Sequence, residues 1–310
     1  MSAVIDSYIL EKAPGPLVEI PSALVRARGA FEGILDAFAA FDDDRLGCAW
    51  TWDGNPADVR YGFYRVLEIL DLAASEASRA LAGSTTSEAR DAVGATALSR
   101  WALHGVLATL TDTDLDADPG NNEWTIRRTM QHIINSQRGY AWGSANWLSV
   151  RDQPRPQGAQ RLPGDPNDGF PEEDEEALGS LADIRREFDD VVDSTASRYA
   201  TLTTDEMSVK AGWSGYPVTI GFRQWRWSSH IDEHTVQIEK TIDMLGKRRT
   251  EVAWLTRLNA RAFGRLGAVV FGRASAGDAA PILEQVARDL DELRVQVVAA
   301  AKAGVPAEDW

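Results

Sequence analysis

The chain has 310 residues, a mass of 33.9 kDa and ordinary shares of hydrophobic (44%) and charged (25%) residues, enough for one large or two modest cores. Its formal net charge of −15 excludes a nucleic-acid backbone as an expected partner, because such binding needs clustered lysine and arginine. Cys48 is the only cysteine, which excludes an internal disulfide, a thiolate-rich metal site and an internal redox pair.

The N-terminus, MSAVIDSYILEKAPGP, has no basic region ahead of a long apolar run, and no stretch approaches the roughly 20 apolar residues that span a bilayer. A cytoplasmic protein with no membrane partner is expected. Periodicity is helical almost throughout. Ala23–Phe41 repeats Leu24, Ala27, Phe31, Ile34, Leu35 and Phe38 at threes and fours, and Gly47–Pro56 reads as a loop. Ala57–Leu81 and Ser87–Leu110 follow as helices, separated by the break Gly83–Thr86. After the acidic loop Asp112–Asn122, Thr125 is suited to cap a fourth helix running to about Leu148.

Residues 151–171 carry five prolines and three glycines without periodicity and read as a long surface loop, of the length that often covers a site. The acidic run Glu172–Glu176 is expected to open a fifth helix reaching Tyr199, since carboxylates favour a positive helix N-terminus. A Trp/Gly/Pro loop, Ala211–Pro217, precedes a sixth helix from about Thr219 to Leu245 that Gly246 stops. Glu251–Phe271 and Pro281–Ala301 complete eight helices. The fold class is all-α, with four-helix modules as the natural unit. The chain holds one faint internal echo, Trp52…Val59-Arg60 beside Trp124…Ile126-Arg127, too weak to mark a repeat.

Within Arg223–Gln237, His230 and His234 stand four apart, so both imidazoles leave one helix face about 40° apart. Two ligands of one metal ion need that arrangement, although two histidines also fall at this spacing in a solvated or core face. The face continues through Gln237 and Thr241, with Arg223 and Arg226 before it and Glu233 at its edge. It is polar along its length, as though lining an enclosed space. His132 lies on the fourth helix among Thr125, Thr129, Ser136, Gly139 and Gly143, a seam of small residues that leaves volume beside it. Together His132, His230 and His234 make a three-imidazole set with an open fourth position, the donor pattern of a catalytic site for zinc or another first-row divalent ion. His104 is left over as a structural or surface residue.

Trp124-Thr125-Ile126-Arg127 with His132 eight residues after the tryptophan resembles the W-[ST]-x-R-x4-H signature of DinB-like proteins. His230, His234 and Gln237 resemble that family's later H-x3-H-x2-Q, and Trp213-Ser214-Gly215 with Pro217-Val218-Thr219 resembles the loop before it. The resemblance covers roughly Ser87–Gly246. It implies a four-helix bundle over 87–246 holding a metal, zinc first and Ni²⁺, Mn²⁺ or Fe²⁺ next, on His132, His230 and His234. An N-terminal helical extension (1–86) and a C-terminal helical pair (247–310) lie outside it. They are expected to pack together against the bundle as extra helices or as a degenerate second bundle.

Family members include transferases and isomerases that use low-molecular-weight thiols such as mycothiol or bacillithiol, and others described as metal-dependent hydrolases. The resemblance therefore implies a metal-dependent thiol S-transferase acting on a small electrophile. An Ala-, Arg- and Asp-rich composition favours mycothiol as the cosubstrate. In that reading Arg223 or Arg226 holds an anionic group of the cosubstrate, and Glu233 orients an imidazole N–H or acts as an acid or base. A hydrolase, with Glu233 or Asp232 as the general acid or base, and a non-catalytic, metal-stabilised binding or stress-response protein are the alternatives. The expected partners are small molecules, with a homodimer as one assembly.

Overall fold

The structure, a computed structural model, describes residues 17–153, 170–271 and 276–307. Most of the loop expected over 151–171 thus lies outside the described residues. The long helices are α1 (Ser22–Ala39), α2 (Val59–Ala80), α3 (Glu88–Leu107), α4 (Ile126–Ser149), α5 (Leu181–Tyr199), α6 (Ile220–Met244), α7 (Glu251–Phe271) and α8 (Ala280–Ala303). The all-α reading holds, and none of the described helices is long and apolar enough to cross a membrane.

Two segments expected as loops are antiparallel hairpins: β1 (Ala49–Trp52) with β2 (Asn55–Asp58), and β3 (Lys210–Trp213) with β4 (Tyr216–Thr219). Their tips are Asp53-Gly54, with φ of 49° and 74°, and Ser214-Gly215, with φ of 46° and 85°. Two successive left-handed residues give the two-residue turn whose twist matches paired strands, which is why glycine sits second in both. Each hairpin runs directly into a helix. Asp58 accepts a hydrogen bond from Tyr61 N to cap α2, and Thr219 accepts one from Phe222 N to cap α6. The strands are only four residues long, too short for alternation to register as a period.

The expected start of α5 is also corrected. Glu173–Glu175 forms one 3₁₀ turn, and the helix begins at Leu181. Ser180 and Asp183 form a capping box there, preceded by Gly179 at φ 122°, so the chain breaks and restarts where the backbone N–H groups find side-chain acceptors. Thr125 caps α4, accepting from Arg128 N, and Gly246, at φ 69°, follows the end of α6, both as expected.

The chain divides into two compact units. Among the described residues, one comprises those within 17–19, 85–100 and 111–246, the other those within 20–84, 101–110 and 247–307. In the first, α4 packs on α5 and α6, and Tyr199 meets Trp227 edge to face at 5.3 Å in the core. In the second, α8 packs on α1 and α2, and α7 packs on α2 and α1. Its centre is Phe31, stacked on Phe263 at 4.5 Å with Trp101 edge-on to both. Truncating such a ring costs about 3–5 kcal/mol. Residues 101–110, which the sequence reading places in the 87–246 segment, cluster in this second unit, because Trp101 packs into its aromatic core.

Candidate metal centre

His132 projects from the second turn of α4, and His230 and His234 from successive turns of α6. One ligand atom from each lies within 4.8 Å of the other two. His230 and His234 are 5% and 8% exposed, so the polar face of α6 looks into the bundle and not toward solvent. The ring centroids are 4.4 Å (His230–His234), 4.7 Å (His132–His234) and 5.1 Å (His132–His230) apart.

The outward ring nitrogens fix which atoms face the centre. His132 Nδ1 is 2.8 Å from Glu173 Oε1; a carboxylate only accepts, so Nδ1 is the donor and Nε2 is left as the atom available to a metal. His234 Nδ1 is 2.7 Å from Gln237 Oε1, which sets the same tautomer. His234 Nε2 then points at His230 Nε2, 3.1 Å away. Two nitrogens on a tetrahedral ion at 2.0–2.1 Å sit about 3.3 Å apart, so the pair already stands near bite distance. Burial pushes the His230 pKa down to about 3, with help from the neighbouring imidazoles, and burial also lowers that of His234. Both rings are neutral at pH 7, the state a metal requires. The three residues therefore fit a divalent ion with an open fourth position.

The surrounding residues explain the sequence signature physically. Trp124 stacks parallel to His234 at 6.4 Å and meets His132 edge-on at 5.3 Å. Arg127 binds Asp116 through two nitrogens and donates to the carbonyls of Ala177 (2.6 Å) and Gly179 (3.0 Å). Gln131 donates to Glu176 O and Asn135 to Pro171 O, so α4 stitches down the 171–179 segment that delivers Glu173. Beneath it, Glu176 is buried against Arg138, and desolvation pushes its pKa up to about 8.

The remaining predicted residues take other places. Arg223 is buried and donates to Ser144 Oγ and to the carbonyls of Gly139, Tyr140 and Gly212, so four of its five N–H groups are spent within the protein. It cross-links α4 to the β3–β4 hairpin and does not stand free to hold an anion. Gly143 belongs to the small-residue seam for this reason, since a Cβ there would collide with the Arg223 guanidinium. Arg226 lies over Trp213 and pairs with Glu233 Oε2 at 2.5 Å, and that pairing holds the Glu233 carboxyl below its ordinary range.

Glu233 thus serves Arg226, and the carboxylate on an imidazole is Glu173, which the sequence reading had assigned to a helix start. Tyr140, edge-on to His230 at 5.6 Å and accepting from Trp213 Nε1 at 3.2 Å, is the other neighbour not anticipated. His104 is buried against Trp101, a structural residue of the second unit.

Residues 95–238 match the family model described as the DinB superfamily. No curated protein and no solved structure matches the chain.

Proposed function

Since the chain belongs to the DinB superfamily through the segment that carries all three histidines, we propose that it is a metal-dependent enzyme joining a low-molecular-weight thiol such as mycothiol to a small electrophile. The observation that supports this is the convergence of three imidazoles, two of them oriented by outward hydrogen bonds, in a protein whose one cysteine, Cys48, is buried in the other unit. The nucleophilic sulfur must then come with a cosubstrate. A divalent ion on His132, His230 and His234, zinc or another first-row metal, would supply Lewis acidity and lower the pKa of a coordinated thiol or water.

The chain's own residues do the rest. Glu173 and Gln237 hold the Nδ1 protons and so keep the rings aimed. Trp124 and Tyr140 wall the centre with aromatic surface that restricts water. Arg226, whose buried Nε has no hydrogen-bond partner among the described residues, offers a donor to a carboxylate or other anionic group of the cosubstrate. In the transfer, sulfur bonds to the electrophilic atom, the leaving group departs with its electron pair, and the thiol proton passes to solvent.

Hydrolysis would need a free carboxylate at the centre, yet Glu233 is paired with Arg226 and Glu173 with His132. Metal-loaded protein should consume thiol in the presence of alkylating or epoxide electrophiles, and the activity should vanish in His230→Ala. Loaded protein that consumes no thiol with any of them would refute the transferase reading. Hydrolysis lost in Glu233→Gln with metal retained would favour the hydrolase. A lowered melting temperature in His230→Ala with no turnover of any substrate would favour a non-catalytic role.

A further inference from the structure

The two hairpins are more than similar turns. A shift of 161 residues carries Trp52 onto Trp213, and with it β1 onto β3, β2 onto β4 and the first residue of α2 onto the first of α6, without a gap. The same shift carries Asp53-Gly54 onto Ser214-Gly215, the two left-handed pairs. Every buried position of α2 lands on a buried position of α6, and every buried position of α1 except Leu24 lands on one of α5. The other two helices follow. A shift of 163 places the buried residues Val252, Leu255, Thr256, Asn259, Ala260 and Phe263 of α7 on buried positions of α3. A shift of 153 places all the buried residues of α8 on buried positions of α4.

Contacts within each unit repeat in the same register. Arg65 lies over the Trp52 ring as Arg226 lies over Trp213. Arg60 binds Glu251, and at the matching pair a Cβ on Gly221 would sit 3.2 Å from Glu88 Oε1. A Cβ on Gly62 would press on Val297, where the matching pair is Arg223 bonded to Ser144. Burial alone could repeat by chance of helical period; paired contacts between different helices do not.

In this register Ile69 stands for His230, Ala73 for His234 and Gln285 for His132. Those three residues line one half-open cavity of about 200 Å³ between α2 and α8, which the charged Arg65, Glu68 and Asp289 also line. We propose that residues 20–84 and 247–310 form a second copy of the metal-binding bundle, begun at its third helix along the chain. The cavity is then the counterpart of the three-histidine centre, its imidazoles replaced by Ile69, Ala73 and Gln285. At these positions the copy has a cavity and no histidine nitrogen donors. Glu76 occupies the position of Gln237, so an acceptor for the Nδ1–H of a histidine at 73 is already in place.

The test installs the lost ligands. Ile69→His/Ala73→His/Gln285→His in the full-length chain should raise the bound divalent metal from one ion per chain to two, measured by elemental analysis with zinc as the probe. In parallel, a short bifunctional methanethiosulfonate should bridge Ile69→Cys to Gln285→Cys, a reading that needs neither metal nor the triple variant. A bridge together with a second ion supports the inference. A bridge without a second ion, in triple variant that keeps its helical circular dichroism and whose original site is loaded, overturns it, as does failure of the bridge. Should the triple variant not fold, or the original site also stay empty, the bridge alone decides. An empty original site would sink the proposed function and leave this inference to that reading.

Discussion

Replacing Glu173 by alanine removes the acceptor of the His132 Nδ1–H, a contact of 2.8 Å between a carboxylate 31% exposed and an imidazole 23% exposed. The ring would then lose both the charge that raises the basicity of its Nε2 and the contact that fixes its tautomer. His230 and His234 are untouched, so binding should weaken without vanishing. Loss of such an outer partner costs about 10–100-fold in metal affinity, which is about 1.4–2.7 kcal/mol. Competition with a chelator of known affinity, followed on stoichiometrically loaded protein, measures this directly. Glu173→Gln should fall between wild type and Glu173→Ala, because an amide oxygen still accepts the proton but carries no charge. The reasoning fails if Glu173→Ala binds zinc as tightly as wild type. It fails equally if Gln and Ala are indistinguishable, since the contact would then not be charge-assisted.

Three further outcomes follow from the geometry. Arg223→Met should lower stability to urea by about 2–3 kcal/mol, because the buried acceptors of its guanidinium lose their donor, while zinc affinity stays within about threefold of wild type; a loss below about 0.5 kcal/mol would contradict the cross-linking role. His230→Ala should bind no zinc at concentrations that saturate wild type, and a loaded variant would mean that the pair on α6 is not the anchor. The third concerns pH. The unfolded chain takes up protons at His230 and His234 near pH 6.5 while the folded rings, held low by burial, resist, so they withdraw stability as pH falls below 6.5. Glu176 acts oppositely, because its raised pKa lets the folded state gain a proton first between about pH 8 and 4.5. In metal-free Glu176→Gln protein the histidine contribution should therefore stand alone, and stability should decline from pH 7 to pH 5. A flat or rising curve would refute it.

The helices and the histidine cluster were legible in the sequence because both write themselves as spacing. Apolar residues at threes and fours marked each long helix, and histidines four apart in a helix can only share a face. The partners of those histidines left no such mark. Glu173 lies 41 residues beyond His132, in an acidic run that reads equally well as the start of a helix, and only the anchoring of 171–179 by Arg127, Gln131 and Asn135 brings it back. The partners of Arg223 and Glu233 were hidden for a related reason. Charge shows in a sequence, whereas an already satisfied charge does not. The internal echo illustrates a third limit. Trp52 was paired with Trp124 on the strength of a neighbouring arginine, while its structural counterpart is Trp213, one tight turn ahead of a capped helix in both places.

His132, His230 and His234 are expected to share one ion. Elemental analysis of chain incubated with zinc and freed of excess should give one ion per chain, and each single His→Ala substitution should remove it while the helical circular dichroism persists. Wild-type protein that retains no divalent metal under those conditions, or a triple His→Ala variant that retains as much as wild type, would contradict it.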